Sequence, residues 1–379
     1  MKRLLFFLLL LPNCLLLFST ETWIDSISKY GMEVLMPAER YKWDWGQATF
    51  LNAIVHQYKN SKNEKKKLYL DYIKKSINTV LTDVNGKHPN AVASGHGVAL
   101  LAGLNDEYYS IYYPFTQKIY SDYLLTPRTS KGGVSHRVES VELWDDTIYM
   151  LSMYFFEMYR LTGDKIYLEH FVHQYNVHKD ALADYETNLW VHGWDADNID
   201  YQDRCSMKEW WKLTPERKSK EFWGRGNGWI FMALADALTV YPKNSSEWKY
   251  FSTELSNMSK VLPDLQDENT GLWYQLPKRK NEQGNFLESS CTAMFGYALS
   301  IGVVTGVLSK DLYIPVIKKA YQGLKKYATV SEGQYMAPSR VCLGTCIGDK
   351  EYYYNRPVGI GVDYAVGVFI MFGLVYNKL

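Results

Sequence analysis

Four short segments between residues 131 and 229 concentrate the tryptophan, histidine, aspartate and arginine side chains that could do acid–base chemistry. They are KGGVSHR at 131–137, ELWDDTIYM at 142–150, WVHGWD at 190–195 and WGRGNGW at 223–229. A carboxyl group beside an indole ring can keep its proton at neutral pH, because an apolar wall disfavours the charged form. Such a group could protonate a substrate. The cluster therefore predicts a proton-transfer site surrounded by aromatic rings.

The adjacent acids Asp145 and Asp146 lie at the centre of this cluster. Consecutive residues of a helix project about 100° apart, so we expect only one of the two to point directly into a pocket and the other to cap or support it. Taken alone, the pair could equally be two solvated acids on a helix surface. His136 and His192 could likewise be histidines that are merely bonded within turns.

The segment WGRGNGW has glycines that permit tight backbone geometry at the entry to a helix. It follows no predicted strand and lacks the residue order that cradles phosphate. An arginine between two indoles suits a ligand with a carboxylate, because a guanidinium offers a two-pronged donor. Arg225 and Arg137 are both candidates for binding such a group.

Composition narrows the class of ligand. The 379 residues include 12 Trp, 31 Tyr and 15 Phe, and aromatic rings are stacking platforms for sugars or bases. Against 42 Lys+Arg stand 41 Asp+Glu, which leaves a net charge of +1, and no basic segment is large enough to neutralise many phosphates. These counts make nucleic acid a poor candidate partner and favour a carbohydrate.

The N-terminus has the pattern of an export signal. Lys2 and Arg3 precede an apolar run that is interrupted at Pro12-Asn13-Cys14 and is too short to span a bilayer. We expect residues 1–20 to be removed, leaving 21–379 as a single domain with no membrane span in a periplasmic or extracellular protein. A lipid anchor on Cys14 is disfavoured, because Asn13 is larger than the small residue that such a site prefers.

Beyond Cys14 the sequence contains Cys205, Cys291, Cys342 and Cys346, too few for a disulfide framework in a chain of this size. The spacing of Cys342 and Cys346 allows a local disulfide, with two free thiols as the alternative. The ligand pairs of a zinc site are missing, so the sequence predicts no metal.

Apolar residues recur at helical spacing along the chain, with few strand signals. The pattern predicts helices at 22–37, 46–60, 65–83, 94–104, 109–125, 142–162, 164–184, 226–241, 246–263, 287–305, 309–328 and 361–377. Consecutive helical hairpins in this number suggest an all-α toroid, an (α/α)6 barrel, whose loops gather at one end. The breaks at 185–225, 264–286 and 329–360 are predicted to form the pocket rim. An open solenoid is disfavoured, because no fixed sequence period is present.

Four motifs in order resemble those of glycoside hydrolase family 105, the unsaturated rhamnogalacturonyl hydrolases, and of the related unsaturated glucuronyl hydrolases of family 88. They are WDDTIYM at 144–150 followed by RLTGD at 160–164, LWVHGWD at 189–195, WGRGNGW at 223–229 and ESSCTAMFGYAL at 288–299. The resemblance covers roughly 40–375. It implies an (α/α)6 barrel with no metal and no organic cofactor. It also implies an oligosaccharide substrate with a 4,5-unsaturated uronic acid at its non-reducing end.

The resemblance also implies roles for single residues. Asp146 matches the family's catalytic acid/base, since Trp144 precedes it by two positions and Met150 follows by four. The candidate substrate-binding residues of the motifs are His136, Arg137, Trp144, His192, Trp194, Trp223, Arg225 and Trp229. The sequence departs from the family at 88–97, which contains no counterpart of a second aspartate; Asn90 and His96 are the candidate replacements.

The implied reaction is hydration of a vinyl ether rather than displacement at the glycosidic carbon. Asp146 would protonate C4 of the unsaturated ring and then deprotonate the water that adds at C5, and the resulting hemiketal would open to release the remaining saccharide. A rhamnogalacturonan or pectin type of substrate is favoured. The alternatives are a glucuronyl hydrolase for another polysaccharide, a mannanase with adjacent catalytic aspartates, and an inactive carbohydrate-binding protein.

Overall fold

The computed structural model describes residues 22–199 and 205–379, so the predicted export signal at 1–20 lies outside the described residues. Each predicted helix has a counterpart. The helices are α1 (Trp23–Lys29), α2 (Trp45–Asn60), α3 (Asn63–Thr79), α4 (Pro89–Ala93), α5 (Gly95–Ala102), α6 (Asp106–Leu124), α7 (Asp146–Thr162), α8 (Ile166–Leu182), α9 (Gly224–Val240), α10 (Ser246–Ser259), α11 (Leu262–Leu265), α12 (Ser289–Thr305), α13 (Lys310–Tyr327), α14 (Lys350–Tyr354) and α15 (Asp363–Tyr376). Across the two described ranges, no helix combines the length and the apolar composition that a bilayer span requires.

Short strands in the connections pair with one another in antiparallel twos. The pairs are β1 (Glu142–Trp144) with β4 (Gly193–Asp195), β2 (Ala183–Asp184) with β3 (Leu189–Trp190), β5 (Trp273–Tyr274) with β6 (Leu287–Glu288), β7 (Thr329–Glu332) with β8 (Tyr335–Pro338), and β9 (Val341–Cys342) with β10 (Val358–Gly359). Their ladders satisfy backbone groups of the long connections and give these loops a fixed shape.

The helices form two concentric layers. In the inner layer α2, α5, α7, α9, α12 and α15 each contact the next, and α15 contacts α2, so the ring is closed. The outer helices α3, α6, α8, α10 and α13 each pack on the inner helix that precedes them, and α1 packs on α15. The inner helix α12 is buried continuously from Ser289 to Val303, as expected for a helix covered on all sides. The predicted (α/α)6 barrel is confirmed.

Each outer helix returns the chain to the end of the barrel at which the next inner helix begins. The inner helices therefore run in the same direction, and their N-termini meet at one end, which we call the mouth. The positive ends of their dipoles converge there, which favours negatively charged groups. Among the residues of these first turns are Trp45, Asp146, Arg225 and Tyr364.

The predicted helix over 142–162 begins only at Asp146. The preceding residues Glu142–Trp144 instead form β1, which pairs with β4. The Glu142 carboxylate also accepts a hydrogen bond from the indole of Trp144 at 2.7 Å. This pairing with a distant segment overrides the local helical periodicity, and it leaves Asp145 in the junction between a strand and a helix.

The predicted local disulfide between Cys342 and Cys346 is wrong. Cys346 bonds to Cys205, with 5.6 Å between the two Cα atoms and a sequence separation of 141. The thiol of Cys342 is buried and free, and the side-chain amide of Gln275 donates to it at 3.0 Å. The disulfide joins the connection that follows β4 to the connection that follows β9, in a small cluster with Trp210.

Replacing both Cys205 and Cys346 by serine should destabilise the protein. The chain-entropy model assigns about 5 kcal/mol to a disulfide that closes a loop of this size, whose ends are 141 residues apart. We expect a lower midpoint of thermal unfolding by calorimetry. A thiol reductant should bring the wild-type midpoint down to that of the double variant and should leave the variant unchanged. If the wild-type protein is unfolded and refolded in the presence of the reductant and its midpoint of thermal unfolding does not change, the Cys205–Cys346 pairing is contradicted.

Candidate active site

A continuous series of contacts between flat side chains, some stacked and some edge-on, lines the mouth from α2 to α4, and we call it the stacking arc. Neighbouring members lie 4.3 to 5.2 Å apart, measured between ring centroids or from a ring to the guanidinium carbon. In order, the members are Trp45, Tyr364, Arg225, Trp223, His192, Trp144, His136 and His88. The arc connects helix starts and loops that are far apart in sequence, and so fixes their relative positions.

His192 lies in the middle of the stacking arc and is fully buried. Its Nδ1 is 2.8 Å from the hydroxyl of Tyr353, and its Nε2 is 3.3 Å from Oδ2 of Asp146. Burial raises the pKa of Tyr353, so the hydroxyl keeps its proton and can donate it to Nδ1. Burial also lowers the pKa of His192 against the opposing effect of Asp146. A neutral imidazole with its proton on Nε2 accepts the hydrogen bond from Tyr353 at Nδ1 and turns its N–H towards Asp146, in a close contact that falls short of hydrogen-bond geometry.

Asp146 is the first residue of α7, and its side chain is 14% exposed at the mouth. Burial alone would raise the pKa of this carboxyl group, but the contact with His192 outweighs burial and holds the pKa below its ordinary value. Besides the indole rings expected from the sequence, an imidazole that can donate a proton lies against this carboxylate and favours its charged form.

Asp145 immediately precedes α7 and is fully buried. Neither oxygen of its carboxyl group has a hydrogen-bond partner that meets geometric criteria among the described residues. Burial, together with the neighbouring carboxyl group of Asp146, raises the pKa of Asp145 well above its usual range. The two acids do not diverge as a helical spacing predicts, because Asp145 lies outside the helix.

One side-chain oxygen each of Asp145 and Asp146 and one ring nitrogen of His192 lie within 4.8 Å of one another. A metal ion would also accept such a spacing. The spacing also suits proton transfer, since the imidazole can donate towards Asp146 and burial raises the pKa of Asp145. The arrangement can therefore hold, give up and take back a proton at a point that a ligand can reach.

Arg225 lies in the first turn of α9, and its buried guanidinium is engaged by the protein itself. Nη1 donates to the carbonyl of Cys342 at 2.8 Å, and Nη2 donates to the carbonyl of Leu343 at 3.0 Å and to the hydroxyl of Thr345 at 3.3 Å. The carboxylate of Glu288, which caps α12, accepts from the backbone N–H of Cys342 at 3.0 Å. Arg225 and Glu288 thus bind the 342–345 loop from two sides, and the guanidinium of Arg225 donates to this loop.

Arg137 is half-buried, unlike Arg225. Its guanidinium carbon lies 4.4 Å from the ring centre of Trp144, and its Nη2 is 3.5 Å from Sγ of Cys346. The neighbouring His136 is buried, and its Nδ1 is hydrogen-bonded to the hydroxyl of Thr147 at 2.9 Å. Of the two arginines predicted to bind a ligand, Arg137 is the one that is partly exposed to solvent.

Two of the predicted tryptophans lie away from the carboxyl pair. Trp194 is opposite Leu143 in the β1–β4 ladder, so it lies on the other face of that ladder from Trp144. There it lines a separate surface groove of about 320 Å³. Trp229 is fully buried beneath the mouth and stacks on Tyr149 with 5.1 Å between ring centroids.

The two candidate replacements for the missing aspartate have different positions. Asn90 is in the first turn of α4, next to His88 at the end of the stacking arc. His96 is fully buried, and the acid that acts on it is Glu157. Glu157 lies about three turns, or about 16 Å, along α7 from Asp146. His96 therefore does not reach the site, and Asn90 is the candidate that lies at the mouth.

Sequence reasoning missed four members of the site: Trp45, His88, Tyr353 and Tyr364. Tyr353 is one of three consecutive tyrosines at 352–354, in a segment predicted only as pocket rim. No spacing in the sequence connects it with His192. The run of three tyrosines was the available signal, because aromatic residues in a predicted loop indicate that this part of the rim packs against the rest of the protein.

The fold and this mouth define an (α/α)6-barrel protein with an acid–base centre. The family model described as Glycosyl Hydrolase Family 88 matches residues 19–379, and the chain belongs to this family. The protein is therefore a glycoside hydrolase by family, and the resemblance found in the sequence is confirmed.

Individual relatives agree with this placement. The chain is 25% identical to the unsaturated rhamnogalacturonyl hydrolase YesR of Bacillus subtilis (strain 168) over 343 residues, which are 86% of this chain and 88% of that protein. A shorter match, 32% identical over 124 residues, covers 31% of this chain and 32% of an unsaturated 3S-rhamnoglycuronyl hydrolase of Formosa agariphila. The solved structure of a family 105 glycoside hydrolase from C. acetobutylicum ATCC 824 has the same fold, with a TM-score of 0.77, 24% identity and coverage of 94% of this chain and 99% of that one.

Replacing Arg225 by lysine should destabilise the protein, because an ammonium group cannot reach the carbonyls of Cys342 and Leu343 together. We expect the free energy of unfolding, measured with denaturant, to fall by about 3 kcal/mol.

Arg128→Lys is the matched control. Arg128 also donates to two carbonyls, those of Gly132 and Tyr123, and also lies over a tyrosine ring, but it is half-buried. Water can replace its lost contacts, so its loss should be about 1 kcal/mol. Equal losses in the two variants would contradict the clamping role of Arg225.

Proposed function

We propose that this protein removes a 4,5-unsaturated uronic acid from the non-reducing end of oligosaccharides made by polysaccharide lyases. Asp146 is the acid/base. It adds a proton to C4 of the unsaturated ring, and positive charge develops at C5 and the ring oxygen. Water adds at C5 and gives one proton back to Asp146. The hemiketal then opens and expels the rest of the saccharide.

The observation that carries this proposal is the position of Asp146. Its carboxyl group is the exposed member of a carboxyl pair and lies beside the stacking arc, whose end members Trp45 and His88 are partly exposed and can contact a sugar ring. Asp145 is buried behind it and out of reach of a ligand. Displacement by a pair of carboxylates needs the two groups on either side of the sugar, about 5 to 9 Å apart. Hydration needs one group that first gives and then takes a proton.

The charge of the mouth supports a substrate with a carboxylate. The N-terminal ends of the inner helices converge there and attract negative charge. The guanidinium of Arg137 lies over Trp144 at the same place. Because Arg137 is partly exposed at the mouth, whereas the guanidinium of Arg225 is buried against the 342–345 loop, we assign Arg137 to the uronate carboxylate.

For the type of oligosaccharide we favour rhamnogalacturonan or pectin fragments, because YesR, which matches along most of both chains, is an unsaturated rhamnogalacturonyl hydrolase. Another unsaturated uronide is the alternative, supported by the shorter match to an unsaturated 3S-rhamnoglycuronyl hydrolase.

A panel of unsaturated disaccharides from rhamnogalacturonan, glycosaminoglycan and ulvan lyase digests tests the proposal. Hydration destroys the conjugated double bond, so its ultraviolet absorbance falls while a keto-uronate is released. We expect the fastest loss with the rhamnogalacturonan disaccharide. Fastest loss with another member would reassign the substrate, and no loss with any would leave an inactive carbohydrate-binding protein.

Asp146→Asn preserves side-chain volume and removes the transferable proton. We expect kcat/KM on the best disaccharide to fall by about 10³-fold or more, with an unchanged circular dichroism spectrum. Asp236→Asn is the matched control. Asp236 is a buried acid of α9 that accepts a hydrogen bond from the hydroxyl of Tyr297 at 2.6 Å. It lines a cavity of about 90 Å³ far from the mouth. Wild-type turnover in Asp146→Asn would overturn the assignment.

Arg137→Lys should weaken the binding of the acid more than that of its methyl ester, because only the carboxylate can use a two-pronged donor. We expect KM for the acid to rise by about tenfold to a hundredfold, with a smaller rise for the ester and little change in kcat. Equal rises in KM for acid and ester would remove Arg137 from carboxylate recognition.

A further inference from the structure

The burial of Asp145 has no part in the reaction described so far. Its carboxyl group is 0% exposed and lacks hydrogen-bond partners of good geometry. The backbone of α9 packs directly on it, since a Cβ atom at Gly226 would lie 2.2 Å from Oδ2. Burying a carboxylate without hydrogen bonds costs free energy of folding. A buried polar group without partners in a native structure therefore calls for an explanation, such as a catalytic role. Retaining a proton removes the charge and with it most of the cost.

The carboxyl group of Asp146 is the natural acceptor for this proton. Nε2 of His192 lies 3.3 Å from Oδ2 of Asp146 and 4.0 Å from Oδ1 of Asp145, so the imidazole favours negative charge on Asp146 first. Two carboxyl groups this close do not both ionise readily. The pair therefore carries one proton and one negative charge.

We propose that Asp145 stores the proton that Asp146 delivers to the substrate. This inference rests on the proposed function, and Asp145 acts through Asp146 without touching the sugar. In the resting pair Asp145 is protonated and Asp146 is anionic. The proton moves from an oxygen of Asp145 to an oxygen of Asp146 and from there to C4 of the unsaturated ring. When water adds at C5, one of its protons returns to the pair and restores the resting state.

Between these steps the pair has lost its proton and carries two negative charges. The cation that develops on C5 and the ring oxygen faces Asp146 and balances one of them. Asp145 lies against the N-terminal turn of α9 at Gly226, where the helix dipole stabilises the other. Asp145 would thus supply the second carboxyl group that residues 88–97 lack.

The other titratable or charged groups that face the carboxyl pair do not change their protonation state around and above neutral pH. Burial lowers the pKa of His136, His192 and His88 and raises that of Tyr353, while arginines stay protonated. The arginines concerned are Arg137 and Arg225. A loss of activity on the alkaline side therefore reports the proton of the carboxyl pair.

The pH profile of kcat/KM for Asp145→Asn tests the proposal. Coupled carboxyl groups titrate in two steps, and the singly protonated pair stays active up to the second step. In the variant Asp146 stands alone with its lowered pKa, so its protonated form disappears at a lower pH. We expect the alkaline limb to move down by about one pH unit or more, with about a tenfold loss of rate above it for each unit.

A merely structural role of Asp145 predicts a different result. Activity would then fall by the same factor at all pH values and the alkaline limb would not move, which would overturn the proposal. Asp236→Asn, which removes a buried acid at the other end of α9, should leave the alkaline limb where it is in the wild type.

Infrared spectroscopy of the wild type tests the stored proton without activity and without relying on a variant. At about pH 8 Asp236 and Asp363, whose pKa values are raised to about 6, are ionised. We expect a carboxylic acid carbonyl band to persist there and to be missing in folded Asp145→Asn. Absence of the band from the wild type would overturn the proposal even in an active enzyme. A band that is present, with no turnover of any saccharide, would reject the proposed function and leave the stored proton in place.

Discussion

The common direction of the inner helices determines where this protein can do chemistry. The first N–H groups of each helix have no partner within it, so every inner helix brings unpaired donors to the mouth. Among the inner helices, Asp44 caps α2 and Glu288 caps α12, while His88 caps α4, the short helix that leads into α5. The position before α7 is occupied by an acid that makes no cap, Asp145. Polar groups are required at this end of an otherwise apolar barrel. The carboxyl group of Asp145 is one that accepts no hydrogen bond from a helix N–H of the described chain.

The stacking arc gives this collection of helix starts a definite shape. Flat rings and a guanidinium in contact leave little freedom for any one member to turn. His192 is held by Tyr353 on one side and faces the acids with the other. The backbone of Cys342 is bound through its N–H by Glu288 and through its carbonyl by Arg225. A site held in this way is already arranged before a ligand arrives, which is what acid–base chemistry needs.

Local features of the sequence were enough to predict most of the fold. Helical periodicity located the helices, and the predicted end at 162 agrees with α7, which is followed by Gly163 at a φ of 72°. Predictions failed where a distant partner decides the outcome. The segment 142–144 is a strand because β4 pairs with it, and Cys346 bonds across a separation of 141 residues. No local pattern contains such information.

The site was predictable in its residue types and less so in its electrostatics. The motifs located Asp146, His192 and Trp144 correctly in one cluster. They could not show that an imidazole rather than an indole governs the charge of Asp146, because that depends on which ring lies against the carboxylate. Nor could they separate Arg137 from Arg225, since exposure is a property of the folded chain.

The packed interior of the barrel makes the mouth blind-ended. Beneath the carboxyl pair the described side chains fill the ring, with Trp229 stacked on Tyr149 and both fully buried. A polymer cannot thread past Asp146, so a ligand that reaches this residue must end there. Under the proposed reaction the terminal sugar occupies the deepest position, with the remainder of the saccharide between it and the solvent. The longer product then leaves before the shorter one, and each encounter removes a single unit.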